Sequence, residues 1–295
     1  MIMIRSRRRG FTLIELLAVI AIIAMLAAIT AGGINRVRSA QMSRNTEQTV
    51  TKLQVALDQQ WKAIADRVMQ DKVRGRIPAE ILNHCGKDLD RAAALWMYIQ
   101  TRREMPQTFV EAQTPIGVGL SPMSIELTRM LQPKQTFQSA TGGGLTPEQE
   151  AAALLYMILA EQGNSGTSFS ADDGTQGAQG TIGNFRVFMD AWRTPITFVR
   201  YARNAELNQS PFVRPGSALN DPLDPTGKLP YFSSNPLPPA ATAAPSMLAS
   251  FGVPFDNQNR QPAVISFGPN LASDGAYGMD NVVGYRLRRQ GNRGD

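Results

Sequence analysis

The sequence predicts an α+β chain in which one long N-terminal helix precedes shorter helices and then a C-terminal group of strands. Three observations predict it. An apolar run over 11–31 continues into an amphipathic stripe that reaches Val68. Residues 79–162 carry helix caps and helical spacing, and alternating β-branched segments appear only after residue 184.

The chain of 295 residues is long enough for one sizeable domain or two small ones. Its formal charge of +6 owes four units to Arg5, Arg7, Arg8 and Arg9, and without them it falls to 6 − 4 = +2. A second basic cluster, Arg286, Arg288, Arg289 and Arg293, closes the chain. This leaves no broad basic face, so no nucleic-acid partner is expected. A single cysteine, Cys85, excludes an intrachain disulfide. It follows the only histidine, His84, but neighbouring side chains on a helix diverge, so neither zinc nor nucleophilic chemistry is expected of them.

The first element runs from Phe11 to Ala31 with Glu15 as its only charge and no proline. As a helix it rises about 31 Å, enough to cross a bilayer core. The arginines before it orient the N-terminus to the cytoplasm and the body to the far side. A secretory signal peptide calls for a shorter apolar core and a small-residue cleavage site. A plain signal anchor explains the length but not the carboxylate, because an acid in a membrane span is costly unless solvated or paired.

The string Arg9-Gly10-Phe11-Thr12-Leu13-Ile14-Glu15-Leu16-Leu17 accounts for both. It resembles the class III signal of type IV pilins and type II secretion pseudopilins. The resemblance implies a cut between Gly10 and Phe11 by a prepilin peptidase, with methylation of the new N-terminus at Phe11. Glu15 then stands fifth in the mature chain, where it can neutralise the terminal amine of a neighbouring subunit and set register during assembly. The implied partners are the prepilin peptidase, like pilin or pseudopilin subunits, an inner-membrane assembly platform and membrane lipid. The implied fold is pilin-like: a membrane-spanning and stem helix packed on a small antiparallel sheet.

The rest of the chain divides accordingly. Residues 1–10 are the leader, 11–33 the transmembrane and assembly helix, and 34–74 the stem. Val50, Leu53, Leu57, Trp61, Ile64 and Val68 form one apolar stripe along the stem, which should stop near Gly75 and Pro78. Residues 79–162 read as a helical insertion. Asp88 caps a helix bearing Leu89, Ala92, Trp96 and Ile99, Ser121-Pro122 opens a short helix, and Thr146-Pro147-Glu148-Gln149 forms a capping box. Residues 163–183 are polar and glycine-rich and read as a flexible linker.

The region 184–295 carries the strands, expected at Phe185–Met189, Ile196–Tyr201, Ala263–Phe267 and Val282–Leu287. Between the first two lies Asp190-Ala191-Trp192-Arg193-Thr194-Pro195, which resembles the structural D-x-W-x-x-P turn of major pseudopilins, with Arg193 where that family often has glycine. Eleven prolines over 204–262 break regular structure and make that stretch a long excursion.

The acidic loop 268–281 places oxygen ligands and glycines at short intervals, as Ca²⁺ requires. It resembles the calcium loop of type II secretion major pseudopilins, although Asn270 stands where that family usually has aspartate. Asn270, Asp274, Asp280 and Asn281 are the candidate Ca²⁺ ligands. A solvated turn with no ion is the alternative.

A structural filament subunit, rather than an enzyme, follows from these features. The alternative is a membrane-tethered extracytoplasmic enzyme or binding domain using the same leader. It would need a nucleophile–base set, a metal cluster or a phosphate loop, and Gly142-Gly143-Gly144 lacks the following Lys-Ser/Thr of the last.

Overall fold

The computed structural model describes residues 13–113, 131, 144–161, 179–202, 205–208, 260–269 and 281–291. The side chains of 29–35, 205 and 288–291 lie outside that description. The expected helix at Ser121-Pro122 and most of the proline-rich stretch also fall outside it. The chain forms two compact units, Met1–Asn45 and Thr46–Asp295.

Helix α1 spans Leu13–Val73. From Thr46 onward its stripe of Val50, Leu53, Leu57, Ile64 and Val68 is buried, with Trp61 packed partly against the same core. The helix stops where sequence chemistry requires it. Gly75 takes a left-handed φ of +65°, the Gly75 amide donates to the Lys72 carbonyl, and the Arg76 amide donates to that of Asp71. That is a Schellman ending, and Pro78 prevents resumption.

Helix α2 (Ala79–His84) ends in the same way, with Gly86 and Lys87 both at positive φ. Helix α3 (Leu89–Glu104) starts at Asp88, whose carboxylate accepts the amides of Asp90 and Arg91. Its residues 92–101 are buried on every face, whereas Leu89 is exposed. A short helix α4 (Phe109–Gln113) precedes α5 (Pro147–Tyr156), which begins at the expected reciprocal capping box of Thr146 and Gln149. A π-helical turn, Met157–Glu161, continues α5. Past its polar first turn, residues 151–156 of α5 are apolar and buried, and the helix packs against the strands that follow.

Two small antiparallel sheets complete the body. Strands β1 (Gln179–Ile182) and β2 (Phe185–Phe188) form a hairpin, and β3 (Thr197–Ala202), β4 (Gln261–Ser266) and β5 (Val282–Val283) form a sheet in that order. A 3-10 turn, Ala205–Asn208, follows β3. The helical and sheet layers meet through aromatic contacts: Phe109 on Phe185 at 4.8 Å, Tyr156 on Phe188 at 4.9 Å and Tyr98 on Tyr201 at 5.6 Å between ring centroids. The architecture is α+β, with the stem portion of α1 and small antiparallel sheets sharing one core, consistent with the expected pilin-like fold.

Three details differ from the sequence reading. The region expected as one sheet is divided into two. The segment 163–183, expected to be a flexible linker, contains β1 at its end. Gly183-Asn184 makes the two-residue turn that closes its hairpin, with Gly183 at a left-handed φ of +57°. The last expected strand, Val282–Leu287, stops at Val283 and gives way to helix α6 (Gly284–Gly291).

Gln54 of α1 supplies the reason for this last change. Its side-chain amide donates to the Pro262 carbonyl at 2.9 Å and accepts the Val264 amide at 2.9 Å. Val264 faces Phe198 of β3 in register, so an amide bonded to Gln54 points to the opposite side, where β5 lies. Gln54 therefore fills the ladder positions that an extended β5 would need. An ideal Cβ on Gly284 would come within 2.3 Å of the Gln54 Oε1, so the chain must turn away at a residue without a side chain.

Candidate assembly helix and the turn beside the last loop

Over residues 13–28, α1 exposes apolar side chains on every face. Leu13, Ile14, Leu16, Leu17, Val19, Ile20, Ile22, Ile23, Met25 and Leu26 are each at least 45% exposed. A core helix hides one face, and a solvated helix is polar on most of its surface. A helix apolar all round is stable only when lipid or other protein covers it. Burying each such side chain is worth roughly 1.5–3 kcal/mol, so the driving force for coverage is large. Glu15 lies on this exposed surface, in the first turn of the described helix. Gly10 and Phe11, the expected processing residues, lie outside the described residues.

The span expected over 11–33 falls only partly within the described residues, since 11–12 and the side chains of 29–33 lie outside them. Among the described residues no helix is long and apolar enough to cross a membrane. The described apolar side chains cover 13–28, a rise of about 24 Å against a hydrocarbon core of about 30 Å. Backbone helicity continues without interruption through 29–35.

The D-x-W-x-x-P segment is a tight connection held by Asp190. One carboxylate oxygen accepts the amides of Trp192 at 2.9 Å and Thr194 at 2.8 Å, and the other accepts the Ser266 hydroxyl at 2.7 Å. The Gly268 amide donates in turn to Ser266 Oγ, and the Ala191 amide donates to Thr46 Oγ1 of α1. Asp190 thus ties the turn, the end of β4 and the entrance to the last loop. Burial pushes its carboxyl above the usual range, against the downward pull of these hydrogen bonds. These contacts hold the turn in shape, the part that the sequence resemblance implies for this segment. Arg193 sits at φ +64°, the left-handed conformation that favours glycine.

Of the candidate calcium ligands, Asn270, Asp274 and Asp280 lie outside the described residues. Asn281 is 6% exposed and directly precedes β5. Among the described residues no group of three or more His, Cys, Asp or Glu is placed to hold a metal.

Cys85 is buried, and burial pushes its thiol up to about 12, which keeps it protonated and unreactive at neutral pH. Burial also lowers the His84 imidazole.

Sequence reasoning missed a largely buried ionic cluster that joins β3 to helices α3 and α4. The Arg200 Nη2 of β3 donates to Glu111 at 2.7 Å and its Nη1 to the Met105 carbonyl at 3.0 Å, while Arg102 pairs with the same carboxylate at 2.8 Å. Burial raises the Glu111 pKa, but Arg200, the Gln107 amide and Arg102 outweigh it and hold the carboxyl below its ordinary value. One signal was available: Arg200 is the lone charge in the strand Thr-Phe-Val-Arg-Tyr-Ala.

Residues 5–31 match the family model of the prokaryotic N-terminal methylation motif. The match covers the leader arginines, Gly10, Phe11, Glu15 and the apolar run. No curated protein and no solved structure matches the chain.

Proposed function

We propose that this chain is a pilin-like structural subunit of the pseudopilin type. A prepilin peptidase removes residues 1–10 and methylates Phe11. The mature chain then leaves the inner membrane, through an assembly platform, to join like subunits in a type II secretion pseudopilus or type IV pilus-like filament. The observation that carries this reading is the coincidence of three features on one helix: the methylation motif, apolar exposure on every face, and a lone carboxylate at Glu15.

The apolar surface is covered by lipid in the precursor and by neighbouring subunits in the filament. The body faces the periplasm and turns over no substrate. Glu15 neutralises the new terminal amine of an adjacent subunit, and each charge lowers the cost of burying the other. The Asp190 turn, the left-handed φ at the usual glycine position and the lack of a cysteine pair support the secretion type. A Ca²⁺ held by the loop 268–281 would supply the cross-link that a disulfide provides elsewhere.

Glu15→Ala tests the assembly role. The variant should insert and be processed like the wild type yet yield little filament by shear and pelleting. Normal filament yield would remove the charge-pairing step.

A further inference from the structure

Between Glu15 and Glu47 the sequence holds no acidic residue, yet it places Arg36, Arg38 and Arg44 there. Because α1 is unbroken, the axial positions follow from helix geometry. Arg36 lies about 32 Å beyond Glu15, close to the roughly 30 Å thickness of a hydrocarbon core. Arg38 lies about 3 Å further, at headgroup depth, and Arg44 about 12 Å beyond Arg36. The side chains of Arg36 and Arg38 are exposed. Two residues apart on a helix, they point about 200° from each other, to opposite sides.

We infer that Arg36 and Arg38 form a guanidinium belt that binds the phosphates of anionic lipid headgroups on the periplasmic face, setting the depth of the mature helix. The inference rests on the cleavage and anchoring proposed above. Once the leader is cut, Arg5, Arg7, Arg8 and Arg9 are gone, and this pair supplies the guanidinium charge at the edge of the span. Guanidinium forks bind phosphate oxygens in pairs, and their apolar stems reach along the helix to the interface. A neighbouring subunit on one side could meet only one of two opposed arginines, whereas headgroups surround the helix and meet both.

Native mass spectrometry of the chain extracted from membranes of prepilin-peptidase-positive cells, released from neutral-detergent micelles doped with phosphatidylglycerol, reads this directly. Arg36→Gln and Arg38→Gln should each lower the retained phosphatidylglycerol about fivefold. Arg44→Gln should retain as much as the wild type. Equal retention in all four proteins, or loss only in Arg44→Gln, would overturn the belt. So would unchanged lipid retention accompanied by break-up of an oligomer, which assigns the arginines to a second copy of the chain. Flotation with phosphatidylcholine vesicles separates the two levels. A wild-type chain that does not float removes the anchoring reading itself, while a floating chain with equal retention removes only the belt.

Discussion

Asp190 shows how a buried charge can serve geometry alone. Its three hydrogen bonds close a six-residue connection and hold the entrance of the last loop, with no cationic side chain among the described residues recorded against it. Burial dominates, so the folded carboxyl titrates above its ordinary value. Its contribution to stability is therefore fully present below the unfolded carboxylate pKa of about 3.9 and is lost as pH rises through the raised folded value. Asp190→Asn removes that titration. In urea unfolding of the full chain across a pH series, the wild type should hold its greatest advantage over this variant at acid pH. The advantage should shrink through the window above about pH 4 and then level off. A pH-independent difference would show that the carboxyl is not raised. Glu111 behaves in the opposite sense: paired with Arg200 and Arg102, it stabilises above the unfolded value and loses that contribution as pH falls through its lowered folded value.

At the scale of elements, the helix caps and stops were legible because they depend on neighbours in the chain. Asp88, the Thr146–Gln149 box and Gly75 each act within a few residues, so local chemistry fixed where α3 and α5 begin and α1 ends. The termination of β5 was not legible. It depends on Gln54, more than two hundred positions away, whose amide completes the β4 ladder in place of a strand. The same is true of Glu111 and Arg200, whose pairing exists only after β3 meets α4. Gly284→Ala should force the new methyl onto the clamped Gln54 amide. A destabilisation of about 1–3 kcal/mol is expected, read as a lower midpoint at unchanged m-value. The loop between β4 and β5 carries a separate expectation. If it holds Ca²⁺, a chelator should lower the melting midpoint of the chain and added calcium should restore it; an unmoved midpoint would remove the ion.

At the scale of the whole molecule, most described apolar side chains after Thr46 are buried, while those over 13–28 of α1 are exposed. No rearrangement of local chemistry explains an apolar helix exposed on every face, and its purpose lies in what covers it. Residues 7–29 made this legible in the sequence, since a single carboxylate within such a run has no use in a soluble core. The geometry of the Asp190 turn was not legible to the same degree, because it depends on Ser266, remote in the chain. The central claim is that residues 1–10 are a leader and that assembly chemistry begins at Phe11. Intact-mass and N-terminal sequencing of protein extracted from membranes of prepilin-peptidase-positive cells test it most directly. The mature chain should begin at N-methylated Phe11, and the same chain should begin at Met1 when the peptidase is deleted. A Met1 start, or an unmethylated cut elsewhere, in peptidase-positive cells would contradict the claim.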